Sequence, residues 1–106
     1  MTPVPMQLVT IIAAAELEDR LLHEIKALGA RGYTVAQVRG QGIHGARASE
    51  YEGENVRIET IVDSRTAQRI EEEIARRYFS EWAIVLYATQ ISVLRPDRFV
   101  SDEPLA

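Results

Sequence analysis

The sequence predicts an α+β fold, in which two helices cover one face of a four-stranded antiparallel sheet. Two segments carry apolar residues at helical spacing, and four segments are rich in β-branched and aromatic residues. Their order along the chain is β-α-β-β-α-β, so the second half repeats the arrangement of the first half. With right-handed crossovers, this order produces the ferredoxin-like sandwich.

The first half begins with an apolar run over residues 6–14, which follows Pro3 and Pro5 and predicts the first strand. A helix is predicted next, because apolar residues recur every three or four positions, at Leu17, Leu21, Ile25 and Leu28. Gly29 directly follows the last of them, and a glycine at this position is typical of a helix end. The segment 32–40 then has the β-favouring residues of a second strand.

The second half begins with the segment 55–63, in which Val56, Ile58 and Thr60 alternate with Arg57, Glu59 and Ile61, and this pattern predicts the third strand. Ser64 is predicted to cap the second helix, which ends near Phe79. The buried stripe of that helix comprises Ala67, Ile70, Ile74 and Tyr78. The run 81–93 is too long for one ordinary strand, so a strand with an adjoining turn is predicted there, before Pro96.

The chain of 106 residues is predicted to be one domain, 1–106, with a disordered tail over 100–106. A domain of this size buries only roughly two-thirds of its unfolded surface. Two helices cover one sheet face and leave the other face without a layer against it. Burial of that face against copies of the same chain is therefore expected, as a trimer or a dimer.

Composition excludes several classes of function. Twelve Lys and Arg residues stand against 16 Asp and Glu residues, a formal charge of −4, so a nucleic-acid-binding role is not expected. No cysteine is present, which excludes disulfides and thiolate metal sites. The N-terminal residues lack a basic region, and no apolar run reaches the roughly 18 residues of a membrane span. A cytoplasmic protein without membrane insertion is the expectation.

The connection over 39–54 is much longer than the about two to five residues of most hairpin loops. Three glycines, Gly40, Gly42 and Gly45, allow successive backbone N–H groups to point at one anion. Arg39, His44 and Arg47 add donors of matching charge, which suits a phosphate. Composition alone favours a flexible solvated connector, because no Walker A spacing is present.

No set of residues indicates catalysis or a metal site. His23 and His44 are the only histidines, and His23 has no partner at ligand spacing, so a solvent-facing side chain is predicted. The consecutive residues Glu71, Glu72 and Glu73 diverge around a helix and predict a solvated face. The serines lack a nearby base. The protein is therefore not expected to be an enzyme.

The stretch "LGARGYTVAQVRGQG", residues 28–42, resembles the PII signalling family, in which a Gly-Tyr-Thr-Val strand leads through Gly-x-Gly into a long T-loop. The segment "VRIETIV", 56–62, is similar to the third strand of that family. The link "YFSEWA" lacks the glycine-aspartate-glycine-lysine loop of nitrogen-sensing members, and the T-loop lacks their glutamine. The nearer resemblance is to PII-like proteins of inorganic-carbon metabolism, the SbtB type and the carboxysome-associated type.

This resemblance implies a homotrimer that binds adenine nucleotides in clefts between subunits as regulatory ligands, not cofactors. AMP, ADP, ATP and cyclic AMP are the implied nucleotides, with bicarbonate as a further ligand. The flexible T-loop, 39–54, would regulate a partner such as a bicarbonate transporter, which would recruit the protein to the membrane. The implied nucleotide-binding residues are Thr34, Val35, Gly40, Gly42, Ile43, His44, Gly45, Arg47, Tyr87, Thr89 and Arg95.

Two alternatives remain open on the sequence. One is a regulatory or metal-tolerance domain of the same fold, such as an ACT-like or CutA-like module without nucleotide binding. The other is a small dimeric ferredoxin-like enzyme, which would need a buried acid, histidine or tyrosine in the cleft between sheet and helices.

Overall fold

The predicted α+β sandwich is confirmed by the computed structural model, which describes residues 2–40 and 54–99. Within these residues the order is β-α-β-β-α-β. The elements are β1 (Val4–Ala14), α1 (Glu18–Ala27), β2 (Thr34–Val38), β3 (Asn55–Val62), α2 (Ser64–Tyr78) and β4 (Val85–Val93). Short 3-10 turns lie at Ala15–Leu17 and Pro96–Arg98. The predicted tail, 100–106, lies outside the described residues.

The four strands form one antiparallel sheet in the order β2-β3-β1-β4. β1 and β3 are therefore inner strands, and β2 and β4 are the described edges. Strand β1 begins at Val4 and includes Pro5, whereas the sequence placed the start at residue 6. Pro5 is tolerated because β3 pairs with β1 only from Gln7 onward, so this end of β1 has β4 as its single neighbour.

One sheet face packs on the two helices and forms the core. Strand β3 alternates as predicted, with Val56, Ile58, Thr60 and Val62 buried. These residues pack with Val9, Ile11 and Ala13 of β1 and with the helix residues Leu21, Ile25, Ile70 and Ile74, and all seven of these partners are buried. The stripe predicted for the second helix is confirmed, because Ala67 and Tyr78 are also buried.

The end of α1 follows the predicted glycine signal. Gly29 has φ of +120°, in the region that favours glycine. Its N–H donates to the carbonyl of Lys26 at 3.1 Å, and the N–H of Ala30 donates to the carbonyl of Ile25 at 2.9 Å. This pair of bonds is a Schellman motif, and both Ala30 and Ile25 are buried beside it. The chain is thereby turned directly from α1 toward β2.

Three predicted boundaries were wrong. The cap of α2 is Asp63, not Ser64, because the Asp63 carboxylate accepts a hydrogen bond from the Thr66 N–H at 2.8 Å. Tyr33 precedes β2, which is shorter than 32–40. The turn in the segment 81–93 comes before the strand, since β4 begins only at Val85, and Trp82 donates its backbone N–H to the Tyr78 carbonyl at 2.9 Å.

Candidate functional site

The sheet face opposite the helices carries several of the predicted site residues. Thr34 on β2 pairs with Glu59 on β3, Glu59 pairs with Thr10 on β1, and Thr10 pairs with Tyr87 on β4. These four residues form one row across the sheet on what we call the open face. Thr89 lies on the same face and strand as Tyr87, and both are exposed.

Thr34 and Tyr87 occupy opposite edges of that row. Three strand spacings separate them, about 14 Å at the usual spacing of about 4.8 Å between neighbouring strands. The single chain therefore does not bring the two predicted parts of the adenine and ribose site together. Two copies of the chain with β2 of one beside β4 of the other would bring these edge strands next to each other.

A cavity of about 240 Å³ lies at the β2 end of the row. Its walls include Thr34 together with residues that were not predicted to contact a nucleotide, namely Leu8, Gly32, Tyr33, Glu59, Ile61 and Phe99. The Thr60 hydroxyl donates a hydrogen bond of 2.6 Å to the Gly32 carbonyl and holds the entry to β2 against β3. Successive side chains of a strand point to opposite sheet faces, so the pairing of Leu8 with Ile61 places both on the open face, and this geometry was the available signal for them.

Phe99 reaches this cavity because the chain after β4 is held near the start of β2. The Arg31 guanidinium donates a hydrogen bond of 2.9 Å to the Asp97 carbonyl. The Phe99 N–H donates to the Pro96 carbonyl at 3.0 Å and closes the short turn. Arg95 immediately precedes this turn and is exposed.

The remaining predicted residues divide into two groups. Val35 lies on β2 next to Thr34, but its half-buried side chain packs against the core on the helix side of the sheet. Gly40 is exposed just beyond β2. The other residues of the predicted loop, Gly42, Ile43, His44, Gly45 and Arg47, lie outside the described residues.

A second cavity, of about 370 Å³, lies where β2 leads into the loop. Ile12, Val38 and Val85 line it with apolar side chains, and Arg39, Asn55 and Arg57 supply polar groups. The pairing of Val38 with Asn55 closes the base of the loop. Ala15 N–H also donates to the Glu54 carbonyl at 2.9 Å, which holds the returning chain beside the end of β1.

Charged residues between the two helices are paired with one another. Arg77 contacts Glu24 at 2.8 Å and Glu73 at 3.2 Å, and the Arg20 guanidinium lies 5.2 Å from the centre of the Tyr78 ring. Burial raises the pKa of Tyr78, and the charge of Glu24 adds to this effect. These mutual contacts join α1 to α2, so we assign this surface a structural role.

Neither a metal-binding cluster nor a membrane-spanning helix is found among the described residues. His23 is exposed on α1, as predicted. Within residues 2–40 and 54–99, no three His, Asp or Glu side chains are grouped closely enough to hold a metal ion. No helix in the same residues is long and apolar enough to cross a membrane.

Comparisons with known proteins agree with this architecture. The sequence model of the family Nitrogen regulatory protein P-II matches residues 6–98. A solved PII-like signalling protein from Thermus thermophilus is 43% identical, with a TM-score of 0.82 over 94% of this chain and 100% of that chain. CPII from Thiomonas intermedia, solved with ADP, AMP and bicarbonate, is 21% identical, with a TM-score of 0.80 over 94% of this chain and 98% of that one. The GlnK–ATP complex from B. subtilis is 20% identical, with a TM-score of 0.62 over 82% of each chain.

Proposed function

The chain belongs to the P-II family of nitrogen regulatory proteins, and from this membership we propose that it is a signalling protein that binds adenine nucleotides between the subunits of a homotrimer. The observation that supports this proposal most directly is the placement of Thr34 and Tyr87. They share one row of the open face but stand at opposite edges of the sheet, about 14 Å apart. A site built from both edges is complete only where two subunits meet.

Two further features of the described chain support a nucleotide at this junction. The cavity beside Thr34 offers apolar walls at Leu8 and Ile61 and aromatic rings at Tyr33 and Phe99. Such surroundings suit the face and edge of a base. Solved PII-like relatives contain the same class of ligand, since CPII was determined with ADP, AMP and either bicarbonate or acetate.

The open face also favours assembly. Half-buried apolar side chains line it, including Leu8, Ile12, Ile61 and Ile91. The core residues of α1 and α2 pack on the other face of the sheet. Burial of this face in a trimer would remove that apolar surface from water and bring β2 of one subunit toward β4 of the next.

In this proposal the loop 39–54 transmits the signal. Phosphates would contact Gly42, His44, Gly45 and Arg47, with Arg95 as a further phosphate contact, and ribose and base would contact the edge strands. A held phosphate restricts a glycine-rich segment, so different nucleotides would present different loop states to a partner. The proposed partner is a protein of inorganic-carbon uptake, such as a bicarbonate transporter that recruits this cytoplasmic regulator to the membrane. No chemical step is required.

Isothermal titration calorimetry tests the nucleotide part of the proposal. The purified protein is titrated with AMP, ADP, ATP, cyclic AMP and 2-oxoglutarate, with and without bicarbonate. Micromolar binding of an adenine nucleotide is expected, and Arg47→Ala should weaken it at least tenfold, because a charge-assisted hydrogen bond contributes about 1.5–3 kcal/mol. Arg69→Ala, on the exposed side of α2, is the matched control and should bind as the wild type does.

Absence of binding heat with every nucleotide, in a protein shown to be folded and trimeric, would overturn the proposal. Binding of an amino acid without nucleotide binding would instead support an ACT-like regulatory domain.

A further inference from the structure

The chain after β4 crosses the sheet toward the opposite edge. Strand β4 ends at Val93, on the edge opposite β2, whereas Phe99 lines the cavity beside Thr34. Residues 94–99, which we call the strap, therefore pass across the two inner strands. Six extended residues reach at most about 20 Å, which is enough to approach β2 over a sheet about 14 Å wide.

A short turn and a bond to the residues before β2 hold the strap in place. Within the turn, the Phe99 N–H donates to the Pro96 carbonyl at 3.0 Å. Pro96 has a fixed φ, which reduces the number of conformations that the free strap can adopt. The Arg31 guanidinium donates to the Asp97 carbonyl at 2.9 Å. Arg31 thus binds the strap two residues before the ring of Phe99.

The strap has little packing of its own. Leu94, Arg95, Asp97 and Arg98 are exposed, and only two of its six residues, Pro96 and Phe99, are partly buried. The position of the Phe99 ring therefore depends on the bond from Arg31 and on the contacts of the ring itself. A segment with few buried contacts opens at a low cost in free energy, so the strap can open to admit a ligand and then close again.

We propose that the strap closes over a base bound in the cavity beside Thr34, with Phe99 as the residue that contacts the base and Arg31 as a positioning residue. This inference rests on the proposed function for the identity of the ligand. An aromatic ring laid against a base stabilises it by stacking. Arg31 acts only by placing that ring, so its contribution to binding depends on the presence of Phe99.

A double-mutant cycle, measured by calorimetry with AMP on the whole chain, tests both roles. Phe99→Ala should weaken AMP binding about tenfold, and Arg31→Ala should weaken it about threefold. In the Phe99→Ala background, Arg31→Ala should cause no further loss, because the bond then has no ring to place. Phe79→Ala removes an exposed ring at the end of α2, and Arg69→Ala removes an exposed arginine; both controls should bind as the wild type does.

A second measurement needs no nucleotide. Leu8 and Ile61 line the same cavity as Phe99, so the chemical shifts of their methyl groups report the position of its ring in selectively labelled protein. Phe99→Ala should move both methyl signals, and Arg31→Ala should move them part of the way toward the same positions. The methyl signals of Ile58, which lies in the core on the other sheet face, should stay unchanged.

The outcomes separate this inference from the proposed function. If the wild type binds AMP and Phe99→Ala binds it equally well, the inference is wrong and the nucleotide function stands. Tighter binding by Phe99→Ala would also overturn it, because the ring would then occupy the place of the base. Equal losses from Arg31→Ala with and without Phe99 would reject Arg31 as a positioning residue. If the wild type does not bind AMP, the nucleotide function is rejected, and the methyl signals decide whether Arg31 places Phe99 at the cavity.

Discussion

If the nucleotide site is shared between subunits, two variants that each bind nucleotide weakly should form some high-affinity sites when they are mixed in one trimer. Thr34→Val removes one hydroxyl at the β2 edge, a loss of about 1 kcal/mol or roughly fivefold in affinity. Tyr87→Ala removes an aromatic contact at the β4 edge, which contributes about 1–3 kcal/mol to base stacking in other proteins. In trimers mixed at random from equal amounts of both variants, a site takes β2 from one subunit and β4 from the next. About one-quarter of the sites then combine two unaltered edges.

The assay is equilibrium dialysis with labelled AMP, at a concentration near the wild-type dissociation constant. Mixed trimers are prepared by unfolding and refolding the two variants together, and differently tagged copies confirm the exchange. A high-affinity class with about one-quarter of the wild-type stoichiometry is expected, and each variant alone should lack it. If mixed trimers form without any such class, each site lies within one chain and the reasoning from strand order is wrong.

Three further predictions concern stability. Ile58→Ala should lower the free energy of unfolding by about 2–5 kcal/mol in urea denaturation, since Ile58 is fully buried at the centre of the core; a loss under about 1 kcal/mol would contradict that packing. Gly29→Ala should lower the free energy of unfolding by about 1–3 kcal/mol, because φ at this residue is +120°. The added Cβ would meet Thr66 at 3.4 Å, an ordinary contact distance, so the loss comes from the backbone. An unchanged melting temperature would refute this assignment. The raised pKa of Tyr78, caused by burial and then by Glu24, means that its protonated form stabilises the fold fully below about pH 10 and less as pH rises through the folded value. Tyr78→Phe should therefore lose less stability than the wild type in urea denaturation series above that pH, and parallel losses would exclude Tyr78 as the cause.

Local sequence patterns were sufficient to predict the core and most of the order of helices and strands. The helical stripe from Ala67 to Tyr78 and the alternation of β3 each depend on neighbouring residues, so they could be read directly. The cap of α2 was ambiguous because both Asp63 and Ser64 are good cap residues. Asp63 is the cap because its backbone is extended, which places its carboxylate at the first turn of α2.

The arrangement of the candidate site depends on strand order and on contacts between residues far apart in the chain, which local sequence patterns do not show. Thr34 and Tyr87 were proposed as site residues from the resemblance, and their placement at opposite edges follows from the strand order β2-β3-β1-β4. Phe99 was missed because its position depends on the hydrogen bond between Arg31 and Asp97, two residues far apart in the chain. No periodicity in the sequence predicts a contact of that kind, since it joins two segments that lie outside the helices and strands.

The closed base of the loop has a consequence for how this protein can diversify. Val38 pairs with Asn55, and the Glu54 carbonyl is bonded to Ala15, so the register of β2 on β3 does not depend on what lies between them. Doubling the length of a flexible insertion costs only about 0.6 kcal/mol in closure entropy. Lineages could therefore exchange or lengthen this segment at little cost to the fold, and partner recognition could evolve separately from the sheet that supports it.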